Sequence, residues 1–274
     1  MDDIVSFKIF GRVPALVAYL FGPMEGQDDN GRAFRDLICQ KAAMARLDVG
    51  FIDPEVTEVA KTGETTRRTR EIVNRALQAG DLKTLQEKIW SIKIIDLETV
   101  RFLATLDGQG GKSKGILIGC FPRSPDQNQA QRHANEFVSR YADTMLEDWA
   151  TRQQAEVLPR ERAALLSFFR RGLANNLGRY IQDVFGRFTT TGGSSLEVGE
   201  AHRLSIPTFL VSDNDLVPEA DRVTRAEFME RLTSKWVLSD ILDLGEVFIS
   251  VDELISFLRD QMEDIKSGEY MKTK

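Results

Sequence analysis

Apolar residues along this chain fall into five short runs, and between the runs they recur every three or four positions. Residues 15–21 (A-L-V-A-Y-L-F) are continuously apolar, stop at Gly22-Pro23, and read as a strand covered on both faces. A helical pattern follows, with Phe34, Leu37, Ile38, Ala42, Ala45 and Leu47 on one face. Residues 49–52 form a second strand, closed by Asp53-Pro54. Residues 65–79 and 82–106 read as charged helices separated by Gly80, the second carrying Leu85, Ile89, Ile92, Ile95, Val100 and Leu103. The turn D-G-Q-G-G-K-S-K at 107–114 leads to a third strand at 115–121. Residues 101–106 are a weaker choice for that strand, because the glycines precede the later run and Pro122 follows it.

From 124 to 188 the pattern changes to two long polar helices, 127–156 and 160–185, interrupted near Pro159. The pair reads as an insertion. Its arginines alternate with glutamates and aspartates, which suits a solvated face or a subunit contact better than a phosphate-binding surface. The stretch T-T-T-G-G-S-S-L-E-V-G-E-A-H-R-L at 189–204 is a hydroxyl-rich turn entering a short helix at 195–204. Ser194 or Ser195 is the expected N-cap, and Glu197 falls in the first turn, where the helix dipole favours a carboxylate. A fourth strand at 206–211, a helix at 225–237, a fifth strand at 246–250 and a helix at 251–262 complete the pattern, before a polar tail at 266–274 expected to be mobile. Five strands alternating with helices predict an α/β fold, a flavodoxin-like doubly wound parallel sheet of order 2-1-3-4-5. Residues 1–123 and 189–274 form that domain, with 124–188 as the helical insertion. Such sheets bind ligands at the carboxyl ends of their strands, so G-P-M-E-G at 22–26, the Pro122 region and G-G-S-S-L-E at 192–197 share one rim.

Composition narrows the classes. The chain has 274 residues and a formal charge of −6, which argues against general nucleic-acid binding. No apolar run reaches the length of a membrane span, and the start M-D-D-I lacks the regions of a signal peptide. Cys39 and Cys120 read as buried thiols of a cytoplasmic protein. With His133 and His202 they make no metal-ligand spacing, so neither metal nor cofactor is expected.

Four groups of residues carry a resemblance. Y-L-F-G-P-M-E-G at 19–26, D-P at 53–54, D-L-E at 96–98 and G-S-S-L-E-V-G-E-A at 193–201, followed by I-P-T-F-L-V, resemble the nucleoside 2-deoxyribosyltransferase family, which includes nucleoside 5′-monophosphate N-glycosidases. The resemblance spans roughly 15–121 and 189–258 and leaves out the insertion. It implies cleavage or transfer of the N-glycosidic bond of a nucleoside or nucleotide, with Glu197 as nucleophile and a glycosyl-enzyme ester as intermediate. It implies Asp96 as the acid or base-orienting group and Tyr19 as the residue that orients the nucleophile. Gly22, Pro23, Met24 and Gly26 would let the backbone approach sugar or base, and Gly193, Ser194 and Ser195 would hold a sugar hydroxyl or phosphate. Relatives often complete their sites from a second subunit, so a homo-oligomer is implied, with 124–188 a candidate surface. Plainer readings stand beside these: a capping glutamate, a surface aspartate, a core tyrosine and capping serines. Glu25 stands where monophosphate-cleaving relatives tend to carry arginine; its charge would repel a 5′-phosphate and favours nucleosides. Hydrolysis and transfer stay open, as do a non-catalytic nucleotide-sensing or scaffold protein and an NAD-type glycohydrolase.

Overall fold

Strand β1, Leu16–Phe21, is buried along its whole length, and the sheet grows from it on both sides. The computed structural model describes residues 13–22, 31–121, 123–124, 127–152, 159–185, 187–188, 192–232 and 234–272. After β1 come α1 (Arg32–Met44), β2 (Val49–Ile52), α2 (Pro54–Thr62), α3 (Thr66–Ala79), α4 (Leu82–Ala104) and β3 (Lys114–Cys120). Then follow β4 (Arg123–Ser124), α5 (Gln127–Arg152), α6 (Pro159–Phe185) and β5 (Arg187–Phe188). The chain continues with α7 (Gly192–Arg203), β6 (Thr208–Val211), α8 (Arg225–Arg231), α9 (Lys235–Leu244), β7 (Val247–Phe248), α10 (Val251–Asp260), α11 (Met262–Ser267) and α12 (Glu269–Lys272).

The main sheet is all-parallel in the order β2-β1-β3-β6-β7, the flavodoxin-like arrangement expected from the strand pattern. Alternation along β1 sorts its side chains between two helical layers. Leu16, Ala18 and Leu20 join Ile116, Ile118, Phe209 and Val211 beneath Phe34 and Ile38 of α1 and Leu254 and Leu258 of α10. The opposite layer is built from α2, α4, α7 and α9, with α2 and α4 lying on β1 and α7 lying on α4.

The elements depart from expectation where local chemistry outweighs periodicity. Asp53-Pro54 closes β2 but also opens α2, a helix the pattern does not predict: Asp53 accepts a hydrogen bond from the Glu55 amide at 2.8 Å, and Pro54 takes the first turn. The single helix expected at 225–237 is two helices. Buried Leu232 ends α8 in an extended conformation, and Ser234 caps α9 through the Val237 amide. Helix α7 starts at Gly192, so Gly193, Ser194 and Ser195 lie within its opening turns instead of capping it. The tail is not a free end as far as Lys272. Gly268 turns the chain with φ 81°, and Tyr270 is buried against Phe209 and Phe257. Cys39 is half-buried, not buried, and the Cys120 side chain lies outside what is described.

Close approach of backbones at the sheet's far edge depends on Gly245. Its φ of −168° suits any residue, but a Cβ there would sit 1.8 Å from the Thr208 carbonyl oxygen. Gly245→Ala should therefore force β7 away from β6 and destabilise the fold by roughly 2–4 kcal/mol, read as a fall in the urea midpoint without a change in slope.

The chain divides into two compact units, residues 1–122 with 189–274, and residues 123–188. In the second, α5 and α6 pack along each other around Val138, Ala142 and Ala174, with Leu166, Leu173 and Leu177 at the margin. The pair β4–β5 is antiparallel, Arg123 opposite Phe188 and Ser124 opposite Arg187. Arg162 links to Asp143 and Glu147, and Arg170 to Asp143, across the hairpin. Among the described residues no helix is long and apolar enough to cross a membrane.

Candidate active site

Three helices of the layer above Tyr19, α2, α4 and α7, show the same anomaly, a carboxylate on the inward stripe. In α4 the buried positions are Ile95, Thr99, Val100 and Leu103, and Asp96 falls on that stripe three, four and seven residues before the last three. In α7 the inward positions are Ser194, Val198 and Ala201, with Glu197 among them and only 5% exposed. In α2 the buried residues are Pro54 and Glu58, the latter 3% exposed. These helices surround one side chain of β1. Tyr19 is fully buried, and its hydroxyl lies 2.9 Å from Asp96 Oδ1 and 3.0 Å from Glu197 Oε1.

Proton counting constrains this trio. A phenol has one proton to donate, so it donates to one carboxylate only. The second short contact is a hydrogen bond when the other carboxyl is protonated and donates to the phenol oxygen. Burial pushes Asp96 up to about 6, with the Glu58 charge adding to the rise and the Tyr19 bond opposing it. Burial likewise pushes Glu197 up to about 8, helped by the Asp96 charge and again opposed by Tyr19. Burial and then the two carboxylates raise Tyr19 well above the ordinary phenol range, so it stays a donor. The pair thus shares one proton near neutrality, and the phenol links its two possible seats. Reversing both hydrogen bonds transfers the proton between the carboxyls without moving a heavy atom.

Outer contacts hold the acid-bearing helices together. Arg101 of α4 donates to Glu200 of α7 at 2.7 Å, and Arg203 donates to the same carboxylate. The Arg203 and then the Arg101 bonds hold Glu200 down to about 2, one turn beyond Glu197. Lys61 of α2 pairs with Glu98 of α4, two residues beyond Asp96. On the β2 side, Arg35 of α1 donates to Asp53 at 2.9 Å, which gives the D-P motif a structural task.

The structure brings Tyr19, Asp96 and Glu197 together. Ser194 is buried one turn before Glu197, whereas Ser195 is exposed. Gly22 follows β1 directly with φ 149°, a value that favours glycine. Pro23, Met24, Glu25 and Gly26 lie outside the described residues. Glu58 is the residue that the sequence did not reveal. Its helix exposes Val56 (67%) and Val59 (37%), so assigning faces by hydrophobicity turns α2 the wrong way round. The signal available was the N-terminal Asp-Pro, which fixes where the helix starts. Among the described residues, no group of three or more His, Cys, Asp or Glu is placed to hold a metal ion.

Comparison of the chain with protein-family models, with curated proteins and with solved structures finds no match.

Proposed function

We propose that this protein cleaves or transfers the N-glycosidic bond of a nucleoside, in the manner of the nucleoside 2-deoxyribosyltransferases its motifs resemble. The observation that carries the reading is the Tyr19 hydroxyl set between two carboxyls with raised proton affinities, Asp96 and Glu197. Two carboxyl groups serve glycosidic cleavage well, one ionised to meet positive charge at the anomeric carbon and one protonated to release the leaving group.

At rest near neutrality Glu197 and Asp96 share one proton through Tyr19. Positive charge developing on the sugar favours the ionised form of Glu197 and draws the proton through Tyr19 to Asp96. A Glu197 oxygen then bonds to C1′ as the C1′–N bond breaks. The departing base takes that electron pair, and a ring nitrogen receives the Asp96 proton. Water or a second base next attacks C1′ and breaks the ester C–O bond. The attacking group's proton passes to Asp96, and Glu197 leaves as a carboxylate.

Incubation with a panel of ribo- and deoxynucleosides, with and without an acceptor base, tests this. Released base should appear by chromatography, and acid-quenched protein should carry a pentosyl ester on the peptide containing Glu197. Binding without release from any nucleoside or nucleotide would overturn the reading and leave a sensing protein.

A further inference from the structure

We propose that the α5–α6 hairpin is a self-association surface, on which a second copy of this chain lies antiparallel, the tip of each hairpin covering the base of the other. Nothing in this pairing draws on the glycosidic chemistry. Ala130, Ala134, Val138, Ala142 and Leu146 recur every four residues along α5 and are buried. The ridge one residue earlier, Phe137, Tyr141, Met145 and Trp149, holds the larger side chains, yet its three aromatics are exposed. The rings of Phe137 and Tyr141 pack with centroids 4.8 Å apart. On α6, Phe168 is 81% exposed. A hairpin that keeps alanines inside and presents aromatics outside has a second face to bury. Residues 123–188 also hold ten arginines and no lysine, a composition that suits a protein interface better than a solvated surface.

Charge along the hairpin identifies the occupant. Residues 142–169, the tip, carry five acids against three arginines, whereas 123–141 and 170–188, the base, carry seven arginines against three acids. Two copies laid tip to tip would set like charge against like. Turned end for end about a twofold axis, the same copies set acids over arginines at both ends, so one patch is its own complement. Arg140 and Arg171 of the base, and Asp148 and Glu161 of the tip, stand exposed for that contact. Shape agrees with charge. A groove of about 720 Å³ between the two helices is lined by residues that include Gln131, Asn135, Leu166, Arg170, Arg171 and Ala174. Phe168 adjoins that lining near the middle of α6, so a twofold axis crossing there offers each Phe168 to the other copy's groove and its arginines. Helices of 26 and 27 residues make a face about 40 Å long and about 20 Å wide. That is roughly 800 Å² per copy, the area a stable dimer buries on each partner.

Light scattering and sedimentation of the full chain test the pairing. At tens of micromolar a species of twice 30.9 kDa is expected, and its dissociation constant should rise several-fold between about 50 and about 300 mM sodium chloride. A monomer at about 100 μM overturns the proposal and leaves this face to a different partner. A dimer that tightens with salt has like ends together and overturns it as well. Phe168→Ser, at an exposed position, should weaken the dimer at least about ten-fold while the far-ultraviolet circular dichroism stays unchanged. Reversal of the base (Arg140→Glu with Arg171→Glu) and reversal of the tip (Asp148→Arg with Glu161→Arg) should each give monomers, and a one-to-one mixture of the two variants should form the mixed dimer. A dimer untouched by Phe168→Ser and by both reversals lies on another surface, and a mixture that stays monomeric removes charge as the guide. Either result refutes the arrangement.

Discussion

Glu197→Gln should lower the rate of base release at least about 1,000-fold while leaving the fold intact. The amide keeps the shape of the side chain, and its oxygen still accepts a hydrogen bond from Tyr19, so packing around the buried position changes little. What disappears is the ionised oxygen that bonds to C1′, and nothing among the described neighbours replaces it: Ser194 lies one turn away, and Asp96 is occupied with the leaving group. Asp96→Asn should behave differently. Its deficit should reach about 100- to 1,000-fold for bases that must be protonated to leave, and shrink for bases that depart readily as anions. Initial rates on a series of nucleosides, with unfolding temperatures measured in parallel, separate the two. If Glu197→Gln kept more than a tenth of wild-type activity, the assignment of the nucleophile would be wrong.

Thermal stability should fall as pH rises from 5 to 9, the reverse of a protein whose acids are salt-bridged. Asp96 and Glu197 hold their protons more tightly folded than unfolded, with values of about 6 and about 8 against ordinary values of 3.8 and 4.5. In that interval the native chain binds more protons than the unfolded chain, so unfolding becomes easier with each step upward in pH. The contribution is complete below the ordinary carboxylate range. It is lost in turn as pH passes the two folded-state values. For Glu197, nine-tenths or more buried, the loss is on the order of 3–5 kcal/mol, or roughly 5–15 °C in unfolding temperature. Cys39, pushed up to about 11 by burial and nearby acids, ionises above this range and does not confuse it. Glu197→Gln removes the larger part of the dependence, so its melting curve should flatten and exceed wild type at pH 9. A wild-type stability that rises towards pH 9 would contradict the buried shared proton.

Legibility in the sequence followed how much each element depends on its own residues. Strand β1 was plain because six consecutive buried apolar residues leave few other states for the segment, and the bounds of β2 at Val49 and Ile52 were set by Asp48 and Asp53 on either side. Asp96 and Glu197 were found through motif resemblance. Periodicity held a signal too: each replaces an apolar residue on a stripe otherwise buried. Neither route could show that a single phenol joins them, since 77 and 178 residues of chain separate Tyr19 from its two partners. Glu58 was hidden because two valines on the same helix point outward, and the packing that reverses α2 comes from α4 and β1. Tyr270 shows the same limit at the other end: a polar tail gains a fixed place only because aromatic rings elsewhere in the chain receive one side chain.

Strands β4 and β5 hold the first and last residues of the helical arm opposite one another, Arg123 beside Phe188. A segment that starts and finishes at neighbouring points is a cassette. Its splice junction spans one rung of a ladder, about 5 Å, which a tight turn bridges as well as sixty residues do. A unit of this kind can therefore be exchanged for a shorter or a longer one at that seam.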